Sequence, residues 1–179
     1  MGTDTLSTSQ LKQHQEELLN VYRAAFSTPP YARGEDDTGS FARQLAKHQM
    51  YEGFCLVVTQ DENDLLGFAY GYVGKSDYWW RSTVSQALDA ATVEAWLSDY
   101  FEVVELAVHP EAQGRGLGGR LHDALLSDLP QRTAALSTAQ AETPALTLYR
   151  RRGWQTLLRD FYFPGGSSPN LVMGIKLPL

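Results

Sequence analysis

Between Val108 and Leu121 the chain reads Val-His-Pro-Glu-Ala-Gln113-Gly114-Arg115-Gly116-Leu117-Gly118-Gly119-Arg120-Leu, and no other stretch restricts the fold so tightly. A β-forming run, Glu102–Val108, is broken at Pro110, and four glycines follow within six residues. Apolar positions then recur at Leu117, Leu121, Ala124 and Leu125, the spacing of a helix from about Gly116 to Leu126. The first amides of such a helix lack an internal acceptor, and its dipole makes that end mildly positive. Glycines have no Cβ, so an anion such as a diphosphate can come close to those amides. Arg115 and Arg120 can add charge-assisted contacts or simply tune the field.

Two rival phosphate motifs fit less well. A nucleotide P-loop ends in Gly-Lys-Ser/Thr, and this chain has no such run. The dinucleotide pattern Gly-x-Gly-x-x-Gly is nearly met at Gly114, Gly116 and Gly119. That pattern, however, belongs directly after the first strand of a parallel βαβ unit, whereas this loop follows five or six predicted elements. A nicotinamide- or flavin-dependent enzyme therefore stays as a minor alternative.

The remaining chain supplies the context. Leu11, Leu18, Leu19, Tyr22 and Phe26 predict a helix over 10–26 that stops at Pro29-Pro30, and a second helix is expected from Thr38 or Ser40. Phe54–Thr59 and Leu65–Val73 read as an antiparallel hairpin around the turn 60–64. A helix is expected over Val84–Leu97, then the strand Glu102–Val108, the glycine loop and its helix. Thr133–Ser137 reads as a strand, Thr143–Arg152 as a helix closed by Gly153, and Trp154–Phe163 and Leu171–Leu177 as the last strands. Hairpin strands followed by strand–helix–strand–helix predict an α/β (α+β) domain, one domain over residues 1–179.

Composition narrows the function classes. With 43% hydrophobic and 20% charged residues the chain reads as an ordinary globular domain. A net charge of −6 gives no global support for binding nucleic acid or an anionic membrane. No run of about 18 apolar residues is present to span a membrane, and no signal peptide is recognisable, so the cytoplasm is the expected location. Cys55, the one cysteine, reads as an inert buried thiol, and His14, His48, His109 and His122 lack the spacing of a metal site.

Two motifs carry a resemblance. Gln113-x-x-Gly116-x-Gly118 is similar to the coenzyme A signature, Arg/Gln-x-x-Gly-x-Gly/Ala, of the GCN5-related N-acetyltransferase superfamily, and Glu105–Pro110 resembles that superfamily's fourth strand. Downstream, Ala145-Leu-Thr-Leu-Tyr149-Arg-Arg-Arg-Gly153-Trp154 resembles its later helix motif, usually Ala-x-x-Leu-Tyr-x-x-x-Gly-Phe. The resemblance implies the acyl-CoA N-acyltransferase fold, a twisted mixed central sheet flanked by helices and splayed between strands 4 and 5. It implies acetyl-CoA as acyl donor and no metal. The pantetheine arm would pair with the backbone of Leu106, Ala107 and Val108, and the pyrophosphate would lie on Gln113, Gly114, Arg115, Gly116, Leu117, Gly118, Gly119 and Arg120. Glu142, where the family usually has asparagine before the later helix, is counted with the cofactor-binding residues.

Tyr149 is the general acid that the resemblance implies, since a tyrosine holds its proton at neutral pH and can give it to a thiolate. Glu102 and Glu105 are the candidate bases; three residues apart on a strand, they point to opposite faces. Where some relatives carry a fifth-strand glutamate, this chain has Ser137. Phe26, Tyr31, Tyr70, Tyr72, Trp79 and Trp80 are the expected acceptor-side residues, with the Trp pair read as an aromatic wall or as part of a dimer interface. The implied activity is acetyl transfer to a primary amine of a small molecule, peptide or protein by a monomer or homodimer. An acyl-CoA-binding or regulatory module without turnover is the alternative.

Overall fold

The computed structural model describes residues 3–61 and 64–179. Seven strands follow one hydrogen-bonding order, β1-β2-β3-β4-β5-β7-β6. They are β1 (Thr3–Thr5), β2 (Cys55–Asp61), β3 (Asp64–Val73), β4 (Tyr100–Val108), β5 (Thr133–Ala139), β6 (Gln155–Phe161) and β7 (Asn170–Lys176). The helices are α1 (Thr8–Gln13), α2 (Gln15–Phe26), α3 (Glu35–His48), α4 (Trp79–Ser85), α5 (Ala90–Leu97), α6 (Leu117–Leu126) and α7 (Pro144–Arg151). Antiparallel β1–β2, β2–β3, β5–β7 and β6–β7 pairs and a parallel β4–β5 pair make the sheet mixed. The β4–β5 register covers only Tyr100↔Thr133, Phe101↔Ala134 and Glu102↔Ala135, although both strands run on beyond it.

The chain divides into two compact units, the first running through Tyr72 and including Val104–Leu125, the second comprising Val73–Val103 and Leu126–Leu179. In the first, α2 places Leu18, Val21, Tyr22 and Phe26 on one face by the i, i+3, i+4, i+8 spacing of a helix. They join Phe41 and Leu45 of α3, Leu56 and Val58 of β2, and Phe68 and Tyr70 of β3 in one apolar cluster. Tyr22 and Phe41 stack with centroids 4.1 Å apart and planes 2° from parallel. Truncating a buried ring of this kind, as in Phe41→Ala, costs about 3–5 kcal/mol.

In the second unit Trp80, Val84, Leu97, Tyr100, Ala135 and Val172 form the corresponding cluster. Gly74 sits against Tyr100: its N–H donates to the Tyr100 carbonyl at 2.9 Å, and a Cβ there would fall 1.9 Å from the phenol carbon Cζ. No residue but glycine fits.

Three boundaries differ from the expected ones. The 10–26 helix is interrupted at His14, whose Nδ1 lies 3.0 Å from Glu17. The second helix begins at Glu35 rather than Thr38 or Ser40, because Glu35, Asp36 and Asp37 complement the helix dipole and the Asp37 carboxylate accepts from the Gly34 N–H at 2.8 Å. The single helix expected over Val84–Leu97 is two, α4 and α5. Asp89 separates them as the N-cap of α5, accepting from the N–H and hydroxyl of Thr92 at 2.8 Å each. β1 was not expected, and the centre of the 60–64 turn lies outside the described residues.

Candidate active site

The glycine loop belongs to the first unit. After β4 the chain makes a single 3-10 turn, Pro110–Ala112, and Gln113 Nε2 donates back to the Val108 carbonyl at 3.1 Å, tying loop to strand end. Gly114 and Gly116 have φ of +77° and +76°, the left-handed region that L side chains avoid. A Cβ at either would meet nothing within 4 Å, so backbone handedness, and not crowding by the protein, calls for glycine at both. Arg115 Nη2 folds back on the Glu111 carbonyl at 3.0 Å. Gln113 through Gly116 are exposed, Leu117 is buried, and Gly118 and Gly119 are half-buried, so the start of α6 is pinned while the loop leading into it lies at the surface. The Arg120 N–H already bonds the Gly116 carbonyl at 3.2 Å; those of Leu117, Gly118 and Gly119 precede the first such bond of the helix. A helix start entered through a surface loop of glycines, with Arg115 and Arg120 exposed on either side, suits a diphosphate. Leu106 is half-buried and Ala107 and Val108 are buried at the end of β4.

Glu105, three residues before the end of that strand, meets a cation. The Arg33 Nη1 donates to Glu105 Oε2 at 3.3 Å and also to the Tyr22 hydroxyl. The guanidinium carbon lies 4.5 Å from the centroid of Phe26, 5.3 Å from Tyr22 and 5.8 Å from Tyr31. Burial pushes the Glu105 carboxyl above its ordinary range, with Arg33 pulling the other way. Arg33 was absent from the residues anticipated from sequence. Only its position amid Phe26, Tyr31 and the Pro pair hinted at a held cation, and its partner lies 72 residues away.

Tyr70 and Tyr72 are also in the first unit and are fully enclosed. The Tyr70 hydroxyl lies 3.2 Å from His48 Nδ1, and Tyr72 meets the His48 ring edge-on at 4.7 Å. Burial, with Lys47 adding to it, lowers the His48 pKa to about 4, so this ring is neutral at physiological pH.

In the second unit Glu102 is 4% exposed, and the Tyr100 hydroxyl donates to its Oε2 at 3.4 Å. Burial and the neighbouring Glu102 charge push the Tyr100 phenol far up. Trp80 is buried and donates from Nε1 to Ser137 Oγ at 3.1 Å, whereas Trp79 is 59% exposed and stacks on Phe163 at 5.5 Å. Tyr149 is buried near the end of α7, with Trp154 5.5 Å away. That helix opens with a Thr143 cap, whose Oγ1 accepts from the Leu146 N–H at 3.0 Å, and with Pro144 in its first turn. Glu142, also in this unit, pairs on the surface with Arg150 Nη1 at 2.9 Å.

Among the described residues no group of three or more His, Cys, Asp or Glu is placed to hold a metal ion. None of the described helices is long and apolar enough to cross a membrane.

A family model described as the acetyltransferase (GNAT) family matches residues 15–154. The chain is 35% identical over 123 residues to a GCN5-like protein acetyltransferase of Mycobacterium tuberculosis, covering 64% of this chain and 60% of that protein. It is 30% identical over 156 residues to a mycothiol acetyltransferase of Mycolicibacterium vanbaalenii, covering 83% of this chain and 44% of that one. The chain thus spans about half the length of these relatives. Its fold is that of the ribosomal-protein-S18-alanine N-acetyltransferase of Escherichia coli, with a TM-score of 0.67 at 17% identity over 99% of this chain and 94% of that chain.

Proposed function

Because this chain belongs to the acetyltransferase (GNAT) family, we propose that it moves an acetyl group from acetyl-CoA to a primary amine of a small molecule, peptide or protein. One observation carries the reading. The loop from Gln113 to Gly119 turns through two left-handed glycines into the mouth of α6 and presents main-chain donors to an anion. In this reading the Leu117–Gly119 amides hold the pyrophosphate, Arg115 and Arg120 add charge, and the main chain of Leu106–Val108 pairs with the pantetheine amides.

Bound there, acetyl-CoA supplies an activated acyl group as its thioester. The residues supply the proton traffic. The Glu105 carboxylate takes the proton of the attacking amine as the N–C bond forms; Tyr149, the acid that the family resemblance alone implies, would give its proton to the sulfur as the C–S bond breaks. Glu105 is favoured over Glu102 as base. It keeps some solvent access, with 18% of its side chain exposed, and burial brings its pKa upward, toward that of a useful base. Glu102 lies buried against Tyr100 and holds that phenol in place.

Calorimetry with coenzyme A, paired with thiol release from acetyl-CoA over an amine panel, tests both halves. Gly116→Ile is expected to weaken coenzyme A binding by about tenfold or more, since a lost amide contact is worth about 1–3 kcal/mol. Equal affinity in a folded variant removes the loop argument. Binding without any thiol release would make the chain an acyl-CoA-binding module instead.

A further inference from the structure

Arg33 is held in an unusual way. Three rings, those of Tyr22, Phe26 and Tyr31, surround its guanidinium at 4.5–5.8 Å, and a single nitrogen, Nη1, makes both side-chain hydrogen bonds, to the Tyr22 hydroxyl and to Glu105. Among the described residues, Nε and Nη2 have no hydrogen-bond partner, and 35% of the side chain stays exposed. Nε–H and the Nη2–H beside it form the edge of a guanidinium that matches a carboxylate with two parallel bonds. The rings and the Glu105 contact fix the plane of that edge in advance, which lowers the ordering cost of binding an anion.

The neighbouring charge decides which anion. Glu105 Oε2 is 3.3 Å from Arg33 Nη1, so a phosphate dianion would meet a carboxylate beside the cation that holds it. A ligand carrying one carboxylate and one ammonium meets a charge of each sign; once that ammonium has given a proton to solvent, the amine it leaves is the attacking group whose next proton Glu105 takes. We propose that Arg33 and Glu105 form a receptor for a zwitterion, so that the acceptor is an amine that also bears a free carboxylate, of the amino-acid type. This rests on the acyl-transfer reading with Glu105 as base, and it adds the substrate class and a specificity residue, Arg33.

The test uses the twenty free amino acids and their matching carboxamides as probes, with wild type, Arg33→Gln and Arg33→Lys. Ligand-observed NMR measures binding, and thiol release from acetyl-CoA gives kcat and KM. For wild type, at least one free amino acid is expected to bind about tenfold or more tightly than its amide. Arg33→Gln is expected to erase that ratio, raising KM for the acid by about tenfold or more relative to KM for the amide. Arg33→Lys keeps the charge but not the fork, and is expected to restore only part of the preference. Amides bound as well as acids, no binding by any probe, or an Arg33→Gln variant that weakens acid and amide equally would overturn the proposal. If Arg33→Gln does not fold, Arg33→Lys and the wild-type acid-to-amide ratio decide alone. Selective acid binding without thiol release would leave the zwitterion receptor standing and remove the acyl-transfer reading. Thiol release indifferent to the carboxylate would do the reverse.

Discussion

Glu102 and Glu105 leave one strand three residues apart, and the molecule treats them differently. Glu102 is sealed in the second unit with a phenol as its hydrogen-bond donor. Glu105, in the first unit, faces a guanidinium that is itself wrapped in aromatic rings, and keeps a route to solvent. A carboxylate paired with a neutral donor and shut away from water suits holding structure; one balanced between burial and a neighbouring positive charge suits moving protons.

The sharpest way to break this contrast is to neutralise each carboxylate in turn. Glu105→Gln is expected to lower kcat/KM by about 10²–10³-fold, the range of general base catalysis, and Glu102→Gln by less than about tenfold. Steady-state thiol release with saturating acetyl-CoA reads both, and the opposite ranking would exchange their roles. Tyr149→Phe is expected to cut kcat by about 10²-fold without changing the affinity for coenzyme A, measured by calorimetry. It should leave the acid limb of the pH profile in place, because that limb belongs to the base.

Arg33 sharpens the comparison through pH. In the proposed mechanism, protonation of Glu105 removes the base, so kcat/KM is expected to fall as the pH drops through its pKa. That pKa lies above the ordinary carboxyl range because burial outweighs Arg33. Arg33→Leu takes away the opposing charge, and the acid limb is expected to move to still higher pH; an unmoved limb would assign it to another group. On the other side of the contrast, Tyr100→Phe is expected to cost about 1–1.5 kcal/mol in denaturant unfolding, with kcat unchanged.

The smallest effect concerns a third buried partnership, His48 with Tyr70, in which neither group is charged. The His48 pKa is about 4 in the folded chain against an ordinary 6.5. The unfolded chain therefore binds the extra proton between these values, and the stability that His48 contributes is complete above about pH 6.5 and lost as the pH falls toward 4. After allowance for screening, His48→Gln is expected to remove on the order of 1 kcal/mol of the stability change between pH 7.5 and 5, read from unfolding midpoints.

What the sequence disclosed follows the range of each signal. The helix α7 was legible because Thr143, Pro144 and Gly153 mark its ends within a few residues of one another. The glycine loop was legible for the same reason. The start of α3 was not, since an acidic run beside Gly39 reads equally as a loop until Asp37 is seen closing on the Gly34 amide. The break at Asp89 carried a local signal, an Asp three residues before a Thr, overlooked inside an apolar stretch. The pairing of Arg33 with Glu105 had no local pattern to betray it; only the fold brings together residues so distant along the chain.

Gly114 and Gly116 carry one more consequence, for anyone engineering this chain. Each glycine leaves the unfolded chain about 0.5–1 kcal/mol more conformational freedom than alanine would. With open space around both positions, a stability screen that weighs only bulk would choose them for replacement first. Their left-handed backbone reverses that choice: a side chain at either site would pull the turn toward right-handed dihedrals and tilt the amide fan at the head of α6. Replacing either residue should therefore cost folded-state stability as well as affinity for coenzyme A.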